Sequence, residues 1–103
     1  MSCKAIILLT RRTDTMHEQF AEWWLGEYAP LAATLLGVRR ALFNLVDSPA
    51  DGDPDGVSEL WFDSREAFDA AYATEIGQAV VNDTLAHVSS RQRMFVTEHP
   101  VAG

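Results

Sequence analysis

The stretch Thr15 to Gly37, T-M-H-E-Q-F-A-E-W-W-L-G-E-Y-A-P-L-A-A-T-L-L-G, constrains the fold more than any other part of this chain. Phe20, Trp24, Tyr28, Leu31 and Leu35 recur in steps of 4, 4, 3 and 4, the period of an α-helix that buries one face. Glu18, Glu22 and Glu27 fall on the side expected to face solvent. Thr15 is expected as N-cap, with Glu18 three residues on completing a capping box, and Gly37 as C-cap. Pro30 interrupts the pattern. It has no N–H, and its ring collides with the carbonyl four residues back, at Gly26, so a kink is expected between Gly26 and Pro30. The irregular backbone would then lie beside Tyr28, on the buried face.

Four short apolar runs supply a sheet for that face to cover. Lys4 to Thr10 is a strand ending in the polar turn Arg11 to Asp14. Val38 to Val46 and Val57 to Phe62 read as a hairpin joined by D-S-P-A-D-G-D-P-D-G, a run of turn formers from Asp47 to Gly56 expected at the surface. Asp63 or Ser64 caps a second helix with Phe68 and Tyr72 on its buried side. A break at Thr74 to Gly77 and a further helical piece, Gln78 to His87, follow, and Arg91 to Glu98 is the last strand. The order βαββαβ over residues 1–103 predicts one α+β domain of ferredoxin-like plan: a four-stranded antiparallel sheet with the helices on one face.

Two helices cover only one side of such a sheet, and the other side should alternate to polar residues. The runs Ile6-Ile7-Leu8-Leu9, Leu60-Trp61-Phe62 and Met94-Phe95-Val96 do not alternate. Both faces ask for burial, which predicts a homodimer packed through the open sheet face.

Fifteen acidic against eight basic residues give a net charge of −7, which argues against nucleic acid and anionic membrane as partners. The longest early apolar run, Ala5 to Leu9, is too short to span a bilayer and lacks a cleavage site, and the single cysteine, Cys3, fits a reducing compartment. A cytoplasmic protein is expected. No metal is expected: D-G-D-P-D-G opens like a calcium loop, but its twelfth position is Phe62 rather than glutamate, and His17 and His99 have no second ligand at a metal spacing. His17 is expected to be solvated. Phosphate-binding glycine loops and G-x-S-x-G elbows are absent from the sequence. His87, beside Leu85 and Val88 at the end of the second helical region, is the histidine placed to be packed or functional. The aromatic group Phe20, Trp24, Tyr28, Phe62, Phe68 and Tyr72 describes either plain core or the apolar wall of a small-molecule pocket.

M-H-E-Q-F-A-E-W-W (Met16 to Trp24), Y-A-P-L-A (Tyr28 to Ala32), G-V-R-R (Gly37 to Arg40), E-L-W-F-D-S (Glu59 to Ser64) and E-I-G-Q-A-V-V-N-D (Glu75 to Asp83) stand in an order and spacing that resembles the EthD family of dimeric α/β-barrel proteins. The resemblance spans nearly the whole chain. It implies a dimeric α/β barrel and, by way of related monooxygenases and lactone isomerases, chemistry without a metal or organic cofactor. It also implies a ligand cleft between helices and sheet, walled by Phe20, Trp24, Leu60 and Phe62. The family commonly has a histidine before its x-P-L motif, projecting into that cleft, and this chain has Tyr28 there. An ordinary phenol ionises near pH 10, and lowering that by three units needs roughly 4 kcal/mol. No lysine or arginine within a helical turn supplies it. Tyr28 is therefore expected to donate a hydrogen bond rather than act as base, with His87 the alternative proton acceptor if the fold brings it to the same cleft. Two functions follow from the resemblance. One is a cofactor-independent isomerase, lyase or monooxygenase acting on a small apolar or aromatic metabolite, with Tyr28 and His87 as candidate catalytic residues. The other is a non-catalytic binding or accessory protein on the same scaffold.

Overall fold

The computed structural model describes residues 2–103. The chain runs β1 (Cys3–Arg11), α1 (His17–Trp23), a π-helical turn (Trp24–Tyr28), α2 (Ala29–Ala32), β2 (Arg40–Leu45), β3 (Gly56–Phe62), α3 (Arg65–Tyr72), α4 (Glu75–His87) and β4 (Val88–Val96). The strands pair antiparallel in the order β2-β3-β1-β4. This is the expected ferredoxin-like βαββαβ plan, each crossover helix being built in pieces. Among the described residues no helix is long and apolar enough to cross a membrane.

The first crossover departs from its expected ends. Met16, not Thr15, is the N-cap, and Gln19, not Glu18, reaches back, its Oε1 accepting from the Met16 N–H at 2.9 Å. Thr15 is drawn away: its carbonyl accepts from the Arg11 guanidinium and its hydroxyl donates to Asp14. The expected irregularity before Pro30 takes the form of one wide turn, in which the Ala29 N–H donates to the Trp24 carbonyl five residues back. A missing N–H at position 30 makes that locally cheap. Regular helix stops at Ala32; looser turns, Leu35 N–H to Ala32 O and Val38 N–H to Leu35 O, carry the chain to Gly37, whose φ of 75° turns it into β2.

The second crossover is capped twice. Ser64 Oγ accepts from the Ala67 N–H at 3.0 Å, while Asp63 pairs with Arg39 at 2.7 Å. Thr74 Oγ1 accepts from the Gly77 N–H at 3.0 Å, so α4 starts at Glu75 rather than Gln78. β4 begins directly after it, at Val88 rather than Arg91.

Register sorts the sheet into two faces. Ala5, Ile7 and Leu9 of β1 and Ser58, Leu60 and Phe62 of β3 are buried beneath the helices. They pack with Phe20, Trp23, Trp24, Tyr28, Leu35, Phe68 and Val80 into one core. The opposite face carries Ile6, Leu8, Val57 and Trp61, with Leu42 and Met94 alongside at 39% and 37% exposure. It is less uniformly apolar than expected: Lys4 pairs with Glu59 at 2.8 Å, and Lys4 and Arg40 both lie over the Trp61 ring.

The acidic loop is anchored rather than simply solvated. Asp55 is 2% exposed and accepts from the Arg11 backbone N–H at 2.8 Å and its Nε at 3.2 Å. His17 Nδ1 lies 2.8 Å from the same carboxylate. The expectation of a solvated His17 is thus corrected: it ties the start of α1 to the end of the loop, where a buried carboxylate must find partners.

Candidate functional site

Tyr28 leaves the wide turn pointing under the helices, 5% exposed, with its ring against Trp23 and Phe43 at 5.2 and 5.9 Å. From α3, Tyr72 packs on Phe68 at 4.7 Å. From α4 come Asp83 and Thr84, with His87 one helical turn further on. From β4 come Arg91 and Arg93. Their register opposite Leu9 and Ile7 puts both on the helix-facing side of the sheet, and Arg93 lies over the Phe68 and Phe95 rings. Phenols, carboxylate, imidazole and guanidinium groups distant in sequence are thus brought to the helix-facing side of the sheet.

Burial pushes the Tyr28 phenol above its ordinary value; the Thr84 hydroxyl and the Arg91 guanidinium act in the other direction, and the Asp83 carboxylate adds to the rise. Tyr72 is raised further, by burial and by its neighbour Tyr28. Arg91 is a cation that the local helical sequence around Tyr28 does not reveal, yet it does not reverse the effect of desolvation. At neutral pH both phenols are protonated donors, as expected for Tyr28. The Tyr72 hydroxyl is buried and has no hydrogen-bond partner in the protein; the Trp24 indole N–H is the other such group among the described residues.

His87 stacks on the Trp23 ring at 4.3 Å, and Trp23 also touches Tyr28. His87 Nδ1 lies 2.8 Å from the Asp83 carbonyl oxygen and 3.2 Å from its carboxylate. Both are acceptors, so Nδ1 carries a proton, and in the neutral ring Nε2 is left as the basic nitrogen. The Asp83 carboxylate also accepts from Trp23 Nε1 at 3.1 Å. The fold therefore joins His87 to the Tyr28 cluster through Trp23.

The four expected wall residues Phe20, Trp24, Leu60 and Phe62 are 0–2% exposed and touch one another and the helices. In this structure they form the packed floor below Tyr28, not an open surface. Surface hollows lie elsewhere, among them one of about 210 Å³ beside Arg11, Ala50 and Asp53, one of about 380 Å³ between Cys3, Arg65 and Phe95, and one of about 360 Å³ beside Lys4, Glu98 and Pro100. Among the described residues no group of three or more His, Cys, Asp or Glu side chains is placed to hold a metal ion.

Trp23, Asp83, Thr84, Arg91 and Arg93 are absent from the sequence-derived site. Two signals could have found three of them. Asp83 and His87 form an i,i+4 acid–base pair on a helix, and the pair of arginines two apart on a strand shares one face. Thr84 gives no such signal.

The fold and this cluster define an α+β ferredoxin-like protein with an aromatic, tyrosine-bearing helix–sheet junction. The chain belongs to the EthD family, whose domain model matches residues 12–89. Among solved structures it is similar to an EthD family protein from Bacillus halodurans, with 22% identity over 96% of this chain and 100% of that one, TM-score 0.79. A dimeric ferredoxin-like protein of unknown function from Thermobifida fusca shares 16% identity over 95% and 92% of the two chains, TM-score 0.78. SnoaB, a cofactor-independent oxygenase from Streptomyces nogalater, shares 17% over 97% and 95%, TM-score 0.71. Comparison with curated proteins gives no match.

Proposed function

We propose that this EthD protein binds a small aromatic metabolite at the β4 edge of its core. Tyr28 and Tyr72 donate hydrogen bonds to it, and the Phe68 ring that packs on Tyr72 forms an apolar wall. The observation that carries this reading is the Tyr72 hydroxyl, buried beside Tyr28 without a partner. A buried donor left unmet costs about 1–3 kcal/mol, so its retention asks for an acceptor that arrives with a ligand. His87 Nε2 is the proton acceptor available to a reaction there, and the cofactor-independent oxygenase among the structural neighbours is consistent with chemistry needing no bound cofactor. The protein acts as a homodimer joined through the open sheet face.

Tyr72→Phe separates a ligand-binding hydroxyl from a merely packed one. Without ligand the variant should be as stable as the parent or more so, since it removes an unmet donor. In a thermal-shift screen of aromatic metabolites, a compound at ten times its Kd should stabilise the parent by about 1.4 kcal/mol. The variant, binding roughly tenfold more weakly, should gain only about 0.4 kcal/mol. Equal shifts in the two proteins, or no shift with any compound, would remove the support for a site at Tyr72.

A further inference from the structure

We infer that the ligand of this site is an organic anion, an aromatic compound carrying an ionised oxygen such as a phenolate, and that Arg91 and Arg93 hold that oxygen. The inference rests on the reading of the Tyr28–Tyr72 cluster as a binding site and assigns it a charge. Acidic residues outnumber basic ones by fifteen to eight, so carboxylate partners are plentiful. Lys4, Arg11, Arg12, Arg39 and Arg65 each have one, at 2.7–3.3 Å. Among the described residues Arg40, Arg91 and Arg93 form no ion pair. Arg40 is on the open face, over Trp61. Arg91 and Arg93 alone stand on the helix-facing side, two residues apart on one strand and so side by side.

Their surroundings fit an aromatic anion. Arg93 lies over Phe68 and Phe95, 5.5 and 5.1 Å from the ring centroids, and Phe68 in turn packs on Tyr72. Both arginines are exposed. The one carboxylate of the cluster, Asp83, is engaged by the Trp23 indole N–H and by His87. The tyrosines offer donors only while protonated. Two cations and two neutral donors around an apolar wall match a ring with a negatively charged oxygen, since guanidinium hydrogen bonds to an anionic oxygen are about twice as strong as neutral ones. In a protein of net charge −7 such a local inversion of sign selects ligands that the rest of the surface repels.

The test uses 4-nitrophenol, whose phenolate is coloured and whose neutral form is not. An apolar pocket raises the pKa of a bound phenol, and a cationic one lowers it. With the intact protein in excess, the apparent pKa of 4-nitrophenol should fall by about one unit, a roughly tenfold preference for the anion. Arg91→Gln combined with Arg93→Gln should abolish the fall, and Arg40→Gln, on the other face, should leave it unchanged. A rise in the bound probe's pKa, or a fall that survives the double substitution, overturns the anion assignment while leaving the binding site. Absence of any binding overturns both.

Discussion

At the scale of single residues, Trp24 sets the geometry on which everything near Tyr28 depends. It is fully buried, packs with tilted rings on Phe20 and Phe43, and presses its six-membered ring onto Gly56 at the start of β3. A Cβ at Gly56 would lie 2.6–2.9 Å from that ring, closer than side chains approach. The glycine is needed for space, not for a turn. Gly56→Ala should therefore destabilise the protein by about 1–3 kcal/mol, the usual cost of overpacking a core. Denaturant unfolding followed by tryptophan fluorescence reads this out; a change within 0.5 kcal/mol, about the spread expected at neutral surface sites, would mean that Trp24 has another place to go. Tyr28 illustrates a different limit. Its protonated state at neutral pH agrees with the sequence reading, but the balance behind it involves Thr84, Asp83 and Arg91, which are 55 or more residues away in the chain.

At the scale of elements, the parts with a strong period were legible. Of the stripe Phe20, Trp24, Tyr28, Leu31 and Leu35, all are buried as the spacing requires except Leu31, which is half-buried, and Pro30 correctly marked the irregular turn. Element order gave the sheet plan because a βαββαβ string has few ways to close. The ends were less legible. Met16 and Gln19 replaced Thr15 and Glu18 because Arg11 and Asp14 engage Thr15, a tertiary competition that local capping rules do not contain. The loop to Gly56 has the composition of a solvated turn, yet Asp55 within it is anchored by Arg11 and His17. Of the candidate site, the tyrosine and histidine were legible from residue chemistry. The β4 arginines were not, because which strand face meets the helices depends on the β1–β4 register, and that register follows from Leu9 meeting Arg91 across the ladder.

At the scale of the whole molecule, the helices leave one face of the sheet uncovered. Ile6, Leu8, Val57, Leu42 and Met94 sit there with the Lys4–Glu59 pair among them. A stable interface needs about 800 Å² from each partner, which one face of a four-stranded sheet can supply. Light scattering at micromolar concentration should give twice the chain mass of 11.4 kDa, and Leu42→Glu with Met94→Glu should halve it. A parent protein of 11.4 kDa would refute the homodimer. The proposed site on the other side of the sheet carries the functional claim, and the most direct measurement of it is a crystal structure with the aromatic compound that stabilises the protein most. The ligand's oxygen should lie within about 2.6–3.2 Å of the Tyr72 hydroxyl, with its ring against Phe68 and its charge facing Arg91. A ligand found on the open sheet face, or in the hollow beside Ala50 and Asp53, with Tyr72 still unpartnered, would contradict it.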